Sequence, residues 1–414
     1  MNLERRFSRA GEGRYVLEVP DYCVVLDVDR VKRNRWGALG GELTVRCSLS
    51  GASTIDGDLL WSGDVSFSDT RGKADLARQL DARAKTSDLD WPVLLDELGM
   101  RVRDAEREGE PAVFLRDVAK PPPDQLLQVD GLTLLRKHPV IIFGDGGSAK
   151  SYLALNLAGR IEQTTGMRVG LFDWELGAED HRLRLEHLFG ADRMPGIVYA
   201  RCSKPLVHEV DRLTRIVQDH RLNYVILDSV AFACDGPPEA AEVAGNYMRA
   251  VRSLGVGSLH LAHVSKAEGA DQKPFGSSFW HNGARMTWFV KLSEGRPAAS
   301  EITIGLFNRK ANLGPRLKAV GYTIRFDEDR TQFAQVDLAD VSDLASKLTI
   351  YERITAALKT GPMTIAALAE GIDAKPATVE KTVRRWTEKG NLVRLAAKNG
   401  VPTRYGLAAL RTAS

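Results

Sequence analysis

Cysteine is scarce in this sequence: four residues in 414, Cys23, Cys47, Cys202 and Cys234, none at the spacing of a metal site. That argues against a disulfide-stapled scaffold and a thiolate zinc site, and points to reduced thiols in a cytoplasmic protein. No apolar run approaches the length of a membrane span, and the opening Met1-Asn-Leu-Glu-Arg-Arg lacks the apolar core of a signal peptide. A large excess of charge is also missing, since the net value is +3, so any polyanion-binding surface must be local. What remains is ordinary globular composition, 43% hydrophobic and 27% charged, with length enough for two or three domains.

The most informative stretch is Val140-Ile141-Ile142-Phe143 followed by Gly144-Asp145-Gly146-Gly147-Ser148-Ala149-Lys150-Ser151. It reads as a buried strand entering a phosphate-binding loop, with a helix starting near Ser151. Such a loop turns its backbone N–H groups inward around phosphate oxygens, which leaves little room for side chains. Gly144, Gly146 and Gly147 are expected to supply conformational freedom. Lys150 is placed to reach the β- and γ-phosphates, and the Ser151 hydroxyl to hold Mg²⁺, with Tyr152 completing the nucleotide-binding segment. Ala149 stands where the usual pattern has its second glycine. We read this as a variant loop that binds a nucleoside triphosphate, with ATP the expected one.

Three regions separate along the chain. Residues 1–120 form an α+β region, with strands expected over Arg14–Val28 and Gly41–Leu49 and helices over Gly72–Lys85 and Trp91–Glu108. It contains no motif with assignable chemistry, and its role is unknown. Pro121–Pro123 then ends regular structure. Residues 124–335 alternate strands (Val140–Phe143, Val169–Asp173, Tyr224–Asp228, Ser258–His263, Thr287–Leu292, Ile302–Phe307) with helices (Ser151–Thr165, Asp180–Leu188, Lys204–His220, Ala240–Leu254), which predicts an α/β fold with a mainly parallel sheet. Residues 346–414 read as three helices, Leu348–Leu358, Thr364–Glu370 and Thr378–Lys389, then a hairpin over Leu392–Ala396 and Thr403–Leu407. That is the outline of a winged helix-turn-helix.

The other strand ends refine the site. Tyr224–Asp228 is an apolar strand ending in a carboxylate, the expected Mg²⁺ partner of Ser151. Ser229 follows it, where many ATPases carry the catalytic glutamate. The strand after the phosphate-loop helix ends in Asp173-Trp174-Glu175, placing two carboxylates beside the nucleotide if that strand lies next to the phosphate-loop strand. Glu175, with its longer reach past the strand end, is the favoured base for the attacking water.

This arrangement resembles RecA-like ATPases, in particular the hexameric helicases of the DnaB and plasmid RepA type, over residues 124–335. The resemblance implies a catalytic glutamate at Glu175 and a polar γ-phosphate sensor at His263, where DnaB-type proteins commonly have glutamine. It implies a channel-facing loop at 266–278, with Lys266 and Lys273 as DNA contacts. It also implies a basic finger reaching the neighbouring subunit's nucleotide, carried by Arg309 or Lys310; Arg285 lies in a similar pattern without an assigned role. The first 120 residues do not resemble the helical N-terminal domain of DnaB.

Residues 346–414 carry twelve Lys/Arg against five Asp/Glu. In a winged helix the third helix enters the major groove, so Thr378, Lys381, Arg384 and Arg385 are expected to face DNA, with Arg394, Lys398 and Arg404 on the wing and Trp386 in the core. The combined expectation is a DNA-dependent ATPase, a ring-forming and hexameric DNA helicase. A RecA-like recombinase or mediator, or an ATP-switched DNA-binding loader or regulator, are the alternatives.

Overall fold

The computed structural model describes residues 4–11, 13–108, 112–122, 125–264, 274, 278–295, 300–395 and 402–408. The chain divides into two compact units, Met1–Lys120 and Pro121–Ser414.

In the first unit, β1 (Arg6–Gly11), β2 (Arg14–Val19), β3 (Val24–Arg33), β4 (Leu39–Cys47) and β5 (Leu59–Ser66) form an antiparallel meander in sequence order, followed by α1 (Thr70–Ala84) and α2 (Trp91–Glu108). Tyr15, Leu17, Leu26, Val28, Leu43 and Val45 recur at every second position and bury one sheet face. Leu76 and Leu80 of α1 and Leu94, Leu95 and Leu98 of α2 belong to the same core, each contributing about 1.5–3 kcal/mol by leaving water. The long strand expected over Arg14–Val28 is broken: Pro20 opens a single helical turn, and Cys23, at φ 49°, closes it by donating to the Pro20 carbonyl at 3.0 Å.

The second unit begins with the hairpin β6 (Leu126–Val129) and β7 (Leu132–Leu135). Then come β8 (Pro139–Gly144), α3 (Lys150–Thr165), β9 (Val169–Asp173), α4 (Ala178–Phe189), β10 (Val198–Arg201), α5 (Leu206–Asp219), β11 (Tyr224–Asp228), α6 (Val230–Ala233), α7 (Ala241–Ser253), β12 (Gly257–His263), α8 (Ser278–Gly283) and β13 (Met286–Leu292). The last sheet strands are β14 (Glu301–Ala311), β15 (Val320–Phe326) and β16 (Thr331–Val336). One nine-stranded sheet has the order β10-β9-β11-β12-β8-β13-β14-β15-β16, parallel as far as β13 and antiparallel beyond it. Alternate residues of β8 serve opposite cores. Val140 and Ile142 join α3 and α4, while Ile141 and Phe143 join α5, α7 and α8. A strand covered on both faces is why this segment is apolar without interruption.

The chain continues with α9 (Ser342–Ala345), α10 (Ile350–Ala357), α11 (Ile365–Gly371), α12 (Pro376–Glu388) and the antiparallel pair β17 (Leu392–Leu395) and β18 (Arg404–Leu407). Thr349 and Glu352 form a reciprocal capping box at the start of α10. Ile354, Leu368, Val379, Val383 and Leu392 gather α10, α11, α12 and the β17–β18 pair around a small core, while Leu344 of α9 belongs to the core of the nine-stranded sheet.

Candidate active site

The phosphate loop links the end of β8 to α3. A Cβ on Gly144 would lie 2.5 Å from the Val290 carbonyl of β13, so only glycine fits there. Gly147 has φ +74°, whereas an added Cβ on Gly146 would meet no atom within 4 Å and its φ lies outside the left-handed region. The expectation that all three glycines serve backbone freedom is therefore corrected: one serves close approach and one a left-handed turn. Ala149 itself adopts φ 55°, ψ 25°, a conformation that costs a non-glycine residue about 1 kcal/mol.

Lys150 opens α3 with its ammonium turned into the loop. Nζ donates to the carbonyls of Gly144 (3.0 Å) and Asp145 (2.7 Å) and to Ser148 Oγ (3.3 Å). Ser148 Oγ donates in turn to the Asp145 carbonyl at 2.7 Å. Burial lowers the Lys150 pKa, and the negative charges of Asp228, Asp145 and Glu175 oppose that shift.

Asp228, at the end of β11, is 5% exposed. Burial pushes its pKa up to about 6; the hydrogen bond from the Ser151 side chain opposes this, and the Asp173 and Glu175 carboxylates reinforce it. A hydroxyl and a carboxylate facing each other at a helix start and a strand end are hard oxygen donors, a set that fits Mg²⁺.

Glu175 arrives here by a route other than the one anticipated. Its strand, β9, is not adjacent to β8; β11 and β12 lie between them. The chain instead extends past β9 alongside β11, with Trp174 N–H donating to the Asp228 carbonyl at 2.8 Å. Glu175 is exposed, and its carboxylate accepts a hydrogen bond from the Ser229 hydroxyl. Asp173 is fully buried and turned away: it accepts from the backbone N–H groups of Glu175 and Leu176 and pairs with His181 Nε2. Of the two carboxylates, Glu175 alone faces open space.

His263 ends β12 opposite Gly144 in the parallel register. Burial and the nearby Lys150 charge lower its pKa, while Glu175 and Asp145 raise it. A cavity of about 280 Å³ opens between Asp145 and Gly146 of the loop, Val230 and Ala231 of α6, and Ala262 and His263 of β12. On α3, the Tyr152 ring meets Phe326 edge-on at 5.2 Å, with the Arg184 guanidinium 4.6 Å above it.

The two candidate finger residues lie on β14. Lys310 donates to the carbonyls of His281 (2.7 Å), Asn282 (3.0 Å) and Ala284 (2.7 Å), satisfying the C-terminal end of α8. Arg309 lies over the Phe289 and Phe307 rings at 5.4 and 5.6 Å. Arg285 donates its backbone N–H to Pro139 at 3.0 Å. Among the candidate DNA contacts, Lys266, Lys273 and Lys398 lie outside the described residues. Thr378, Lys381, Arg384 and Arg385 are exposed on α12, Arg384 paired with Glu388 at 3.1 Å. Arg394 and Arg404 are exposed on β17 and β18. Trp386 is half-buried, stacked on Tyr351 at 3.7 Å.

Sequence reasoning missed three side chains that build this site: Ser229, His181 and Arg201, whose guanidinium lies 3.9 Å from Asp173. Ser229 was visible as the residue after Asp228. The others depend on tertiary proximity.

A glycine-rich loop with Lys150, a Ser151–Asp228 pair and an exposed glutamate meet at neighbouring ends of a mainly parallel sheet, an arrangement suited to holding a nucleoside triphosphate with Mg²⁺. Residues 104–269 match the family model described as an AAA domain, a segment that includes Lys150, Ser151, Glu175, Asp228 and His263 and stops before Arg309. No curated protein matches the chain. Among solved structures, the ATPase domain of G40P is similar at 13% identity, TM-score 0.40, over 49% of this chain and 86% of that one. A KaiC-like protein from the hyperthermophilic archaeon Pyrococcus horikoshii OT3 is similar at 16% identity, TM-score 0.39, over 50% of this chain and 93% of that one.

Proposed function

We propose that this chain is a DNA-dependent ATPase, a ring-forming helicase that couples ATP hydrolysis to movement along single-stranded DNA in replication, recombination or repair. The observation that carries hydrolysis is the convergence of Lys150, Ser151, Asp228, Glu175 and His263 around one loop. Lys150 exchanges its loop partners for the β- and γ-phosphates of ATP. Ser151 and Asp228 hold Mg²⁺, which neutralises phosphate charge when bound. Glu175, oriented by Ser229, takes the proton of the attacking water, and His263 contacts the γ-phosphate. Arg309 or Lys310 of a neighbouring copy in a hexamer stabilises the transferred charge; for Lys310 this requires release from its three carbonyls.

Residues 346–414 act as a winged-helix DNA-binding domain, with Lys381, Arg384 and Arg385 on α12 and Arg394 and Arg404 on the hairpin meeting DNA phosphates. Their exposure and basic charge support this reading. A second reading, an ATP-switched DNA-binding loader or regulator, is favoured by the engagement of Lys310 with its own chain. Unwinding of a forked duplex separates the two. ATP-dependent strand separation supports the helicase; ATPase activity stimulated by single-stranded DNA without any separation sinks it in favour of the switch.

A further inference from the structure

The N-terminal unit displays a feature that ATP chemistry does not use. Residues 30–41, RVKRNRWGALGG, contain four cations and no acid, and they form the tip of the β3–β4 hairpin. Arg30 is bonded to Glu42 at 2.6 Å. Lys32, Arg33 and Arg35 are exposed, and none has an acidic partner among the described residues. Trp36, between them and the turn, is 79% exposed and lies outside the core of its unit.

The tip is ordered by its own hydrogen bonds. Asn34 N–H donates to the Ala38 carbonyl at 2.9 Å, and Asn34 Oδ1 accepts from the N–H groups of Trp36 (2.9 Å) and Ala38 (3.0 Å). Gly37, at φ +80°, closes the turn with its N–H on the Asn34 carbonyl at 2.9 Å. Arg33 reaches the Gly37 carbonyl at 3.2 Å. The Arg35 guanidinium lies 4.8 Å from the Trp36 ring centre, a cation–π contact that holds the indole outward. Folding gains little from presenting the largest apolar side chain to water on a fixed turn among three cations that have no acidic partner among the described residues. A ligand with planar apolar faces and flanking negative charge gains a great deal.

We infer that this hairpin tip binds single-stranded nucleic acid, stacking an unpaired base on Trp36 while Lys32, Arg33 and Arg35 meet the neighbouring phosphates. Single strands offer base faces and phosphates together, whereas a duplex hides its base faces. An acidic peptide offers charge without the ring. A membrane surface asks for more apolar depth than one indole among Asn34, Gly37 and Ala38 provides. The choice of polymer rests on the DNA-dependent reading given above.

The test uses the full-length protein and fluorescein-labelled oligothymidylate, followed by anisotropy across a salt series. Trp36→Ala should weaken binding roughly five- to a hundredfold, Trp36→Phe should restore most of it, and Arg33→Gln with Arg35→Gln should reduce the salt dependence. Unchanged thermal transitions would show that each variant is folded. Equal affinity of wild type and Trp36→Ala overturns the inference, as does a loss that Trp36→Phe fails to restore. So does Trp36-dependent binding to phosphatidylserine vesicles without any effect on the oligonucleotide. If the wild type binds no single-stranded DNA, the DNA-dependent reading falls as well; if it binds and Trp36 proves irrelevant, only the hairpin assignment falls.

Discussion

Exchanging glycine and alanine within the phosphate loop should have effects whose sign follows φ and not the identity of the residue removed. Gly146→Ala and Gly147→Ala delete the same backbone freedom from the unfolded chain, so their difference isolates the folded loop. An added Cβ at Gly146 meets nothing within 4 Å and its φ is unexceptional, whereas Gly147 has φ +74°. Gly146→Ala should therefore stabilise by about 0.4–1 kcal/mol through the unfolded state. Gly147→Ala should lie about 1–2 kcal/mol below it, the left-handed penalty for an L-residue. Ala149, already at φ 55°, gives the inverse experiment: Ala149→Gly releases the same penalty but adds unfolded-state entropy, for a net gain of roughly 0.5 kcal/mol. Calorimetry without nucleotide suits the measurement, read on the transition that ATP and Mg²⁺ shift upward. Each kcal/mol should move it by roughly 2–4 °C. Equal effects of Gly146→Ala and Gly147→Ala, or destabilisation by Ala149→Gly, would refute the reasoning.

Three further outcomes follow from named contacts. Lys310→Met removes the donor from three carbonyls at the end of α8 and should destabilise by about 1–3 kcal/mol; a large fall in ATPase activity with an unmoved thermal transition would instead mark Lys310 as a group acting between subunits. Glu209 is buried, which raises its pKa, but the N–H groups of Ser203 and Lys204 and the Arg212 guanidinium more than compensate, so it lies below its ordinary 4.5. Its stabilising effect is complete above that value and is lost as pH falls through the folded-state pKa, so Glu209→Gln should unfold more readily at neutral pH and show a shallower acid limb in pH-dependent melts. Replacing Lys381, Arg384 and Arg385 together by glutamine should lower single-stranded DNA affinity uniformly across sequences. It should also reduce the slope of log K against log salt by about 2, as loss of three phosphate contacts requires.

The legibility of this protein from its sequence depended on how local each cause was. Apolar runs ending at Gly144, Asp173, Asp228 and His263 are visible because parallel strands covered on both faces leave few polar positions. Strand order was not visible. Nothing local says that β12 separates β8 from β11, so the route by which Glu175 reaches the site had to come from long-range pairing. The edge strand β1 was missed because its residues are mostly exposed and lack apolar alternation. The engagement of Asp173 depends on His181, one helical turn into α4, and that of Lys310 on carbonyls 26 to 29 residues away. The loop itself was legible as a glycine-rich link from a buried strand into a helix, yet the division of labour among Gly144, Gly147 and Ala149 is set by tertiary contact and φ, which spelling does not encode.

The central claim is that this site hydrolyses ATP with Glu175 as the group that activates water. Single-turnover hydrolysis by Glu175→Gln, beside Lys150→Ala and with ATP binding measured separately, tests it most directly. The account predicts that Glu175→Gln binds ATP nearly as well as the wild type and cleaves it about 10²- to 10⁴-fold more slowly, while Lys150→Ala loses binding itself. Cleavage by Glu175→Gln at the wild-type rate would contradict it.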